Sequence, residues 1–390
     1  MPKSITEMVV NRHGADAARR GHPWIWRQAI VRGADAAPGD EVQIVAEDRE
    51  PVGRAIADPK SPIAMRVWTL GRAPIDAALV RARLARAFAV RARLFGDGAT
   101  TAYRLLNGEG DRCPGIVIDR YGDVAIVRTD GDAAAAHLAR VAPVVVDALT
   151  AIGVCTVVHR SGVKSSPLRE LVHGDAPPDT IEVKEHGVPF VVDLAKGQKT
   201  GAFLDQRENR RRVGEMARAR RVLNLFSYAG GFSLRAALGG ATRVTSVDVA
   251  ANAHATAQAS FRLAGVDPSK HGFVTADAFA FLASAKKRGE SWDLIVSDPP
   301  SFAPSEKSLA RALSAYRSLH RACVDVLAPN GIFCASSCSS HVDAERFAST
   351  LDDAAIGASL RMIAMHGAPA DHPTLPAWPE GRYLKFAVLE

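Results

Sequence analysis

No run in this 390-residue chain approaches the roughly 18 apolar residues of a membrane-spanning helix. Its first residues, MPKSITEMVVNRHG, lack the apolar core of a signal peptide. A cytoplasmic chain with no membrane partner is therefore expected. Cysteine is scarce: five residues, odd in number, with no C-x-x-C spacing. Structural disulfides and a zinc site are not expected, and no other metal is expected. Acidic residues are outnumbered, 42 Asp and Glu against 49 Lys and Arg, for a net charge of +7. That balance suits a polyanionic partner such as nucleic acid. The remaining composition, 47% hydrophobic and 23% charged, is that of an ordinary globular protein, long enough for two or three domains.

The chain is organised around residues 222–248. An apolar run, Val222 to Phe226, reads as a buried strand, and Ser227-Tyr228-Ala229-Gly230-Gly231 reads as a tight turn. A helical pattern from Phe232 to Leu238 stops at Gly239-Gly240. A second strand, Arg243 to Val247, ends on Asp248, 17 residues beyond Gly231, where a ribose-binding carboxylate belongs. This is the front half of a doubly wound nucleotide-binding sheet. The turn is A-G-G-F-S and not G-x-G-x-x-G, so this stretch leaves a dinucleotide and an adenosyl cofactor both open.

Upstream, short strand-like runs over 1–70 are broken by Gly, Pro and Asp, as in a small β-barrel-like module. Arg19, Arg20, Arg27 and Arg32 flank Gly21 to Trp26. Arginines with interleaved aromatics suit RNA contact, although Trp24 and Trp26 read more readily as core. A helix over 74–95 carries Arg81, Arg83, Arg86, Arg91 and Arg93, expected as a solvated face. A small α+β region follows, with Cys113 and Cys155 as inert small hydrophobes and DAPPD (175–179) as a linker. The polar segment 196–212 precedes the first strand of the main sheet and leads into a basic helix. For Arg210 and Arg211 on that helix, phosphate contact and a solvated face are equally open.

Beyond Asp248 helices and strands keep alternating, so the sheet is expected to be mostly parallel. Such sheets bind ligands at the carboxyl ends of their strands. Five strands end on useful groups there: Ser227 to Gly231, then Asp248, Asp277, Asp298 and Cys338. A single strand-end acid is commonly a helix cap. The second acid, Asp277, shifts the balance from a nicotinamide cofactor toward S-adenosylmethionine, since it can accept from an adenine amine while Asp248 takes the ribose hydroxyls. Asp298-Pro299-Pro300-Ser301-Phe302 resembles the D-P-P-x-aromatic turn of nucleic-acid methyltransferases. Cys338, in the polar run S-S-C-S-S, suits a thiolate nucleophile that adds to cytosine C6 and makes C5 reactive. Asp298 on the adjacent strand end would hydrogen-bond N3 or N4, and nearby arginines would favour the thiolate. Cys334 and Cys323 read as core.

Taken together, G-H-P-W (21–24), N-G-E-G-D (107–111), D-R-Y-G-D (119–123), K-T-G-A-F-L-D-Q-R (199–207), N-L-F-S-Y-A-G-G-F (224–232), D-P-P-S-F (298–302), S-C-S (337–339), D-H-P (371–373) and P-E-G-R-Y-L-K (379–385) resemble the RlmI-like cytosine-C5 methyltransferases of 23S ribosomal RNA over essentially the whole chain. The resemblance implies a PUA-like RNA-binding domain over 1–70, a small α+β middle domain over 71–185 and a Rossmann-like methyltransferase domain over 186–390. It implies S-adenosylmethionine as cofactor, held by Lys199, Phe203, Asp205, Gln206, Arg207, Phe226, Ser227, Gly230, Asp248, Asp277, Ala278 and Asp298. Cys338 is then the nucleophile with Asp298 beside it, and 23S ribosomal RNA the partner. Independently of the resemblance, Arg19, Arg20, Arg210 and Arg211 are the candidate RNA contacts, and a homodimer is expected. Ser340 and Ser301 stand where the family often has glycine and lysine. Two alternatives remain: an rRNA guanine (N2 or N7) methyltransferase of a sister family, which needs no cysteine, and a non-catalytic RNA-binding assembly factor. A nicotinamide oxidoreductase would leave Asp277, the D-P-P turn and Cys338 unexplained.

Overall fold

The computed structural model describes residues 5–33, 36–161, 170–303 and 306–390. Two compact units divide the chain: residues 1–179 with 370–381, and residues 180–369 with 382–390.

The first unit opens with β1 (Thr6–Val10), α1 (Arg12–Arg19), β2 (Trp24–Trp26), β3 (Ile30–Gly33), β4 (Glu41–Ala46), β5 (Pro51–Ala57) and β6 (Ile63–Leu70). The strands form a six-stranded sheet in the order β2-β6-β5-β4-β1-β3. Strands β2 and β3 are separated by a 3₁₀ turn at Arg27–Ala29. Helix α1 was not legible in the sequence, because Gly14 breaks its apolar pattern. Gly14 is needed there, since a Cβ would lie 2.9 Å from that of Ala29. The only start signal is Asn11, whose Oδ1 accepts from Gly14 N.

Next come α2 (Ala77–Phe95), β7 (Ala102–Asn107), β8 (Ile116–Tyr121), β9 (Val124–Thr129), α3 (Asp132–Thr150), β10 (Thr156–Ser161) and β11 (Glu170–His173), with sheet order β11-β10-β9-β8-β7. By length and hydropathy α3 could cross a membrane. It carries His137, Arg140 and Asp147, however, and buries Leu138, Val141, Val145 and Leu149 in a core shared with Trp68, Leu84 and Phe88. It is a core helix. Three expectations change in this unit. Arg91 is no solvated residue: it is buried and paired in bidentate fashion with Asp111, at 2.9 and 2.7 Å. Cys155 is exposed, not a small core hydrophobe. Segment 370–381 belongs here, because Asp371 accepts from Arg91 and from Arg104 N, and Trp378 packs edge-on against Trp24.

The second unit begins with a hairpin of β12 (Thr180–Glu185) and β13 (Val188–Asp193). It continues with α4 (Arg207–Met216), β14 (Arg221–Leu225), α5 (Gly231–Leu238), β15 (Arg243–Asp248), α6 (Ala251–Leu263), β16 (Gly272–Thr275), α7 (Ala278–Lys287) and β17 (Trp292–Ser297). It ends with α8 (Leu309–Val324), β18 (Leu327–Ser337), α9 (Ala344–Ser349), α10 (Asp352–Ala358), β19 (Met362–His366) and β20 (Lys385–Leu389). The seven-stranded order is β16-β15-β14-β17-β18-β20-β19. The first five strands are mutually parallel, and β20 runs antiparallel to both its neighbours.

The near-continuous apolar runs of these strands follow from burial on both faces. Leu223, Leu225, Ile295, Phe333 and Ala335 pack on one face with Leu282 of α7 and Tyr316 of α8. Val222, Leu294, Val296, Ile332 and Cys334 pack on the other with Val213 of α4 and Phe232 of α5. Chain direction across the sheet reverses between β14 and β17, the switch point where open α/β sheets bind ligands.

Candidate active site

A cavity of about 1330 Å³, its open mouth included, lies in the second unit at the carboxyl ends of β14, β15, β17 and β18. Its wall on the β14 side is the turn after Leu225. Phe226 (φ 56°), Tyr228 (φ 46°) and Gly230 (φ 73°) are all left-handed. Two of the three carry side chains, each at a cost of roughly 1–2 kcal/mol that surrounding contacts must offset. Asp248 supplies part of that offset: Oδ2 accepts from Tyr228 N at 2.8 Å and Oδ1 from Ala250 N at 2.9 Å. The carboxylate is thereby fixed, with lone pairs left for a vicinal diol. Asp248→Ala is expected to weaken S-adenosylmethionine binding about 10- to 100-fold, since hydrogen bonds to a charged group contribute roughly 1.5–3 kcal/mol. Calorimetric titration checks it; unchanged affinity would remove Asp248 from the site.

The opposite wall is the segment before α4. Lys199 Nζ donates to Asp205 Oδ2 at 2.9 Å and lies 4.4 Å from the centre of the Phe203 ring. Tyr383 donates to the same Asp205 oxygen at 2.7 Å. Tyr228 joins the two walls, meeting Phe203 edge-on, accepting from Gln198 N and donating to Gly201 O. Behind them Arg210 is buried, with Nε and Nη2 on Glu185 at 3.0 and 2.5 Å and Nη1 on Phe203 O at 2.9 Å. Its side chain fills the space beside Gly231, where a Cβ would stand 2.7 Å from Arg210 Cδ. The second glycine of A-G-G thus exists for an arginine.

At the floor, β17 and β18 pair in parallel and bring Asp298 and Cys338 into the same cavity. Gln206 Nε2 bridges Asp298 Oδ1 and Ser336 Oγ, both at 2.9 Å, and Asn209 holds the Gln206 oxygen at 2.7 Å. Asp298 is half-buried and lines the cavity. Burial pushes its carboxyl up to about 6, Ser336 opposing and Asp205 adding to the rise. Burial likewise raises the Cys338 thiol above its ordinary value; Asp298 and Asp205 reinforce the rise, and Lys199 and Lys385 oppose it. The cations that favour the thiolate are therefore lysines, and the arginines expected in that role lie elsewhere.

Of the residues singled out in the sequence, Lys199, Phe203, Asp205, Gln206, Phe226, Ser227, Asp248, Asp298 and Cys338 line the cavity. Four do not. Asp277 is exposed and caps α7, its Oδ1 accepting from Ala280 N, and Ala278 is buried behind it. Gly230 serves the left-handed turn and the approach of α6, its missing Cβ falling 2.7 Å from that of Ala257. Arg207 is buried, with Nε 3.1 Å from Glu208. Arg210 requires correction: it is a buried wall residue with its guanidinium committed, not a surface contact for RNA. Arg19, Arg20 and Arg211 are exposed, Arg19 beside Asp16 and Arg211 beside Glu208 and Glu215. Val249, Glu185 and Arg235 line the cavity and were missed, and Tyr228, expected only as part of the turn, lines it too. Val249, directly after the strand-end acid and 70% exposed, was the one with a readable position.

The donor set fits an adenosyl cofactor: a fixed acid for a diol, apolar walls from Phe203, Phe226 and Val249, and carboxylates at the floor for a sulfonium. Comparison with known proteins agrees. The family model described as S-adenosylmethionine-dependent methyltransferase matches residues 146–378, and a PUA-like domain matches residues 8–70. The chain is 37% identical over 381 residues to a ribosomal RNA large subunit methyltransferase I of Shewanella denitrificans, covering 95% of each chain. It is also 37% identical to a ribosomal RNA large subunit methyltransferase of Deinococcus radiodurans, over 95% of this chain and 94% of that one. A solved methyltransferase complexed with SAH has the same fold, with TM-score 0.89 at 24% identity over 99% of this chain and all of the other.

Proposed function

Because the chain belongs to the S-adenosylmethionine-dependent methyltransferases, and among them to the ribosomal RNA large subunit methyltransferase I family, we propose that it methylates C5 of a cytosine in 23S ribosomal RNA through a covalent adduct on Cys338. The observation that carries this reading is the meeting of Cys338 and Asp298 in one cavity, on adjacent parallel strand ends.

The sulfonium methyl is the electrophile that S-adenosylmethionine brings. Cytosine C5 needs activation before it can take that methyl. Cys338 Sγ, as thiolate, adds to C6; the C5–C6 π pair becomes available at C5, and N3 gains a proton. Asp298 suits that transfer, since with a pKa of about 6 roughly a tenth of it holds a proton at pH 7. In its ionised form the same group accepts from the N4 amine. Gln206, held by Asn209, fixes which Asp298 oxygen faces the cavity. Once C5 carries the methyl, loss of the C5 proton to a base lets Sγ leave as the thiolate, and N3 returns its proton to the Asp298 carboxylate, restoring the ring. A homodimer is part of the same reading, measured by light scattering of the full chain.

Nucleosides from 23S ribosomal RNA treated with enzyme and cofactor are expected to contain new 5-methylcytosine by mass spectrometry. Methylguanine in its place would overturn the reading in favour of direct attack by a guanine nitrogen. No cofactor binding by calorimetry would favour a non-catalytic RNA-binding role.

A further inference from the structure

Lys385 is one of the two lysines that favour the Cys338 thiolate. It opens β20, is 3% exposed, and is paired in the antiparallel register with Ser337, the residue before Cys338. Its Nζ donates to Ser339 O at 2.6 Å and to Tyr383 O at 2.7 Å. Two neutral carbonyls do not balance a buried ammonium, and among the described residues no carboxylate forms an ion pair with it; the acid whose charge reaches it is the exposed Asp343. An uncompensated buried cation is costly, so a lysine used only to bridge two carbonyls would be a poor solution. The residues it pairs with and bonds, Ser337 and Ser339, flank Cys338, whose thiolate charge acts on it.

We propose that Lys385 is a positioning residue for the nucleophile: held between the carbonyls of Ser339 and Tyr383, it fixes the Cys338 turn and supplies the counter-charge of the thiolate. This rests on reading Cys338 as the nucleophile. The other charged groups acting on the sulfur are Asp298 and Asp205, which oppose ionisation, and Lys199, which favours it; Tyr316, hydrogen-bonded to Ser337 Oγ at 3.0 Å, lies behind the turn and is coupled to the same thiol. Lys199 is already engaged by Asp205 at 2.9 Å, which leaves Lys385, of these two lysines, as the one with no carboxylate partner among the described residues. Burial lowers the lysine to about 8, and the thiolate opposite raises it. The two ionisations are therefore linked, and by reciprocity each group shifts the other by the same amount.

The test uses the full-length enzyme and reads the thiol directly, so that it stands or falls separately from methyl transfer. Iodoacetamide alkylation of the Cys338 peptide, followed by mass spectrometry across pH, separates this thiol from the exposed Cys155. Lys385→Met is expected to move the alkylation midpoint up by a full pH unit or more, with S-adenosylmethionine binding retained. Lys385→Arg, which keeps the charge, is expected to stay near the wild-type midpoint. A cofactor-binding Lys385→Met protein with an unmoved midpoint would overturn the proposal, as would an Arg variant that shifts as far as the Met variant. The converse measurement does not depend on those variants folding. In Cys338→Ala the Lys385 midpoint, read by NMR of ¹³Cε-labelled lysine, is expected to fall, and an unchanged lysine would equally overturn the proposal.

Discussion

Cys338→Ala is expected to reduce methyl transfer by roughly 10⁴- to 10⁶-fold, the scale on which removal of a covalent nucleophile acts, while calorimetry still finds wild-type affinity for S-adenosylmethionine. The two readouts separate because the residues proposed to hold the cofactor are fixed by hydrogen bonds to groups other than the Cys338 thiol. The cofactor end depends on Asp248, the left-handed turn after β14 and the Lys199 to Gln206 segment. Cys338 stands on the end of β18, held by Tyr316, Ser337, Ser339 and Lys385. RNA carrying 5-fluorocytosine at the target offers a second readout. Fluorine replaces the proton whose loss expels Sγ, so the wild-type enzyme should accumulate an adduct that survives denaturing electrophoresis, and Cys338→Ala should form none. Full C5 methylation by the alanine variant would remove the covalent mechanism and leave Cys338 as a wall residue.

Two routes made parts of this site legible: Lys199, Phe203, Asp205 and Gln206 through the resemblance of their segment, and the strand-end groups through a fixed offset from strands that burial on both faces makes recognisable. Asp248, Asp298 and Cys338 end apolar runs, and a parallel sheet brings all strand ends to one edge. Asp277 also ends a strand but does not line the cavity. A strand-end acid followed by a helix can turn its carboxylate to the helix N-terminus or to the ligand, and spacing does not distinguish the two. Here Asp277 bonds Ala280 N, whereas Asp248 bonds the turn of the neighbouring strand. Arginine was the least legible residue type. Arg91 and Arg210 occur within strongly basic helices, and composition makes such helices look solvated. Their burial depends on Asp111 and Glu185, 20 and 25 residues distant in sequence, and no local pattern encodes such a pairing. Lys385 is concealed in the same way, since its meaning lies in a cross-strand register with Ser337.

Arg210 provides the second large effect, and it separates the two meanings an arginine in that helix can have. Arg210→Met leaves the Glu185 carboxylate buried, with Arg235 at 3.8 Å as its remaining cation. Breaking a buried pair by removing one partner costs about 3–5 kcal/mol. For a unit of roughly 200 residues that corresponds to a fall of about 6–20 °C in the melting temperature of the second unit. Cofactor affinity should fall with it. Phe203 O loses its donor, Gly231 loses the side chain it packs on, and the two walls joined by Tyr228 lose their common support. An arginine that contacted RNA phosphates from the surface would behave otherwise. Its loss would leave the melting temperature within about the 0.5 kcal/mol typical of surface substitutions, leave cofactor affinity unchanged, and reduce the salt dependence of RNA binding. Arg211, exposed one residue further along the same helix, is the internal control. Its substitution by Met should leave both melting and cofactor binding near wild type. If Arg210→Met melts and binds cofactor as Arg211→Met does, the buried clasp between Glu185, Arg210 and Phe203 does not hold the cavity in shape.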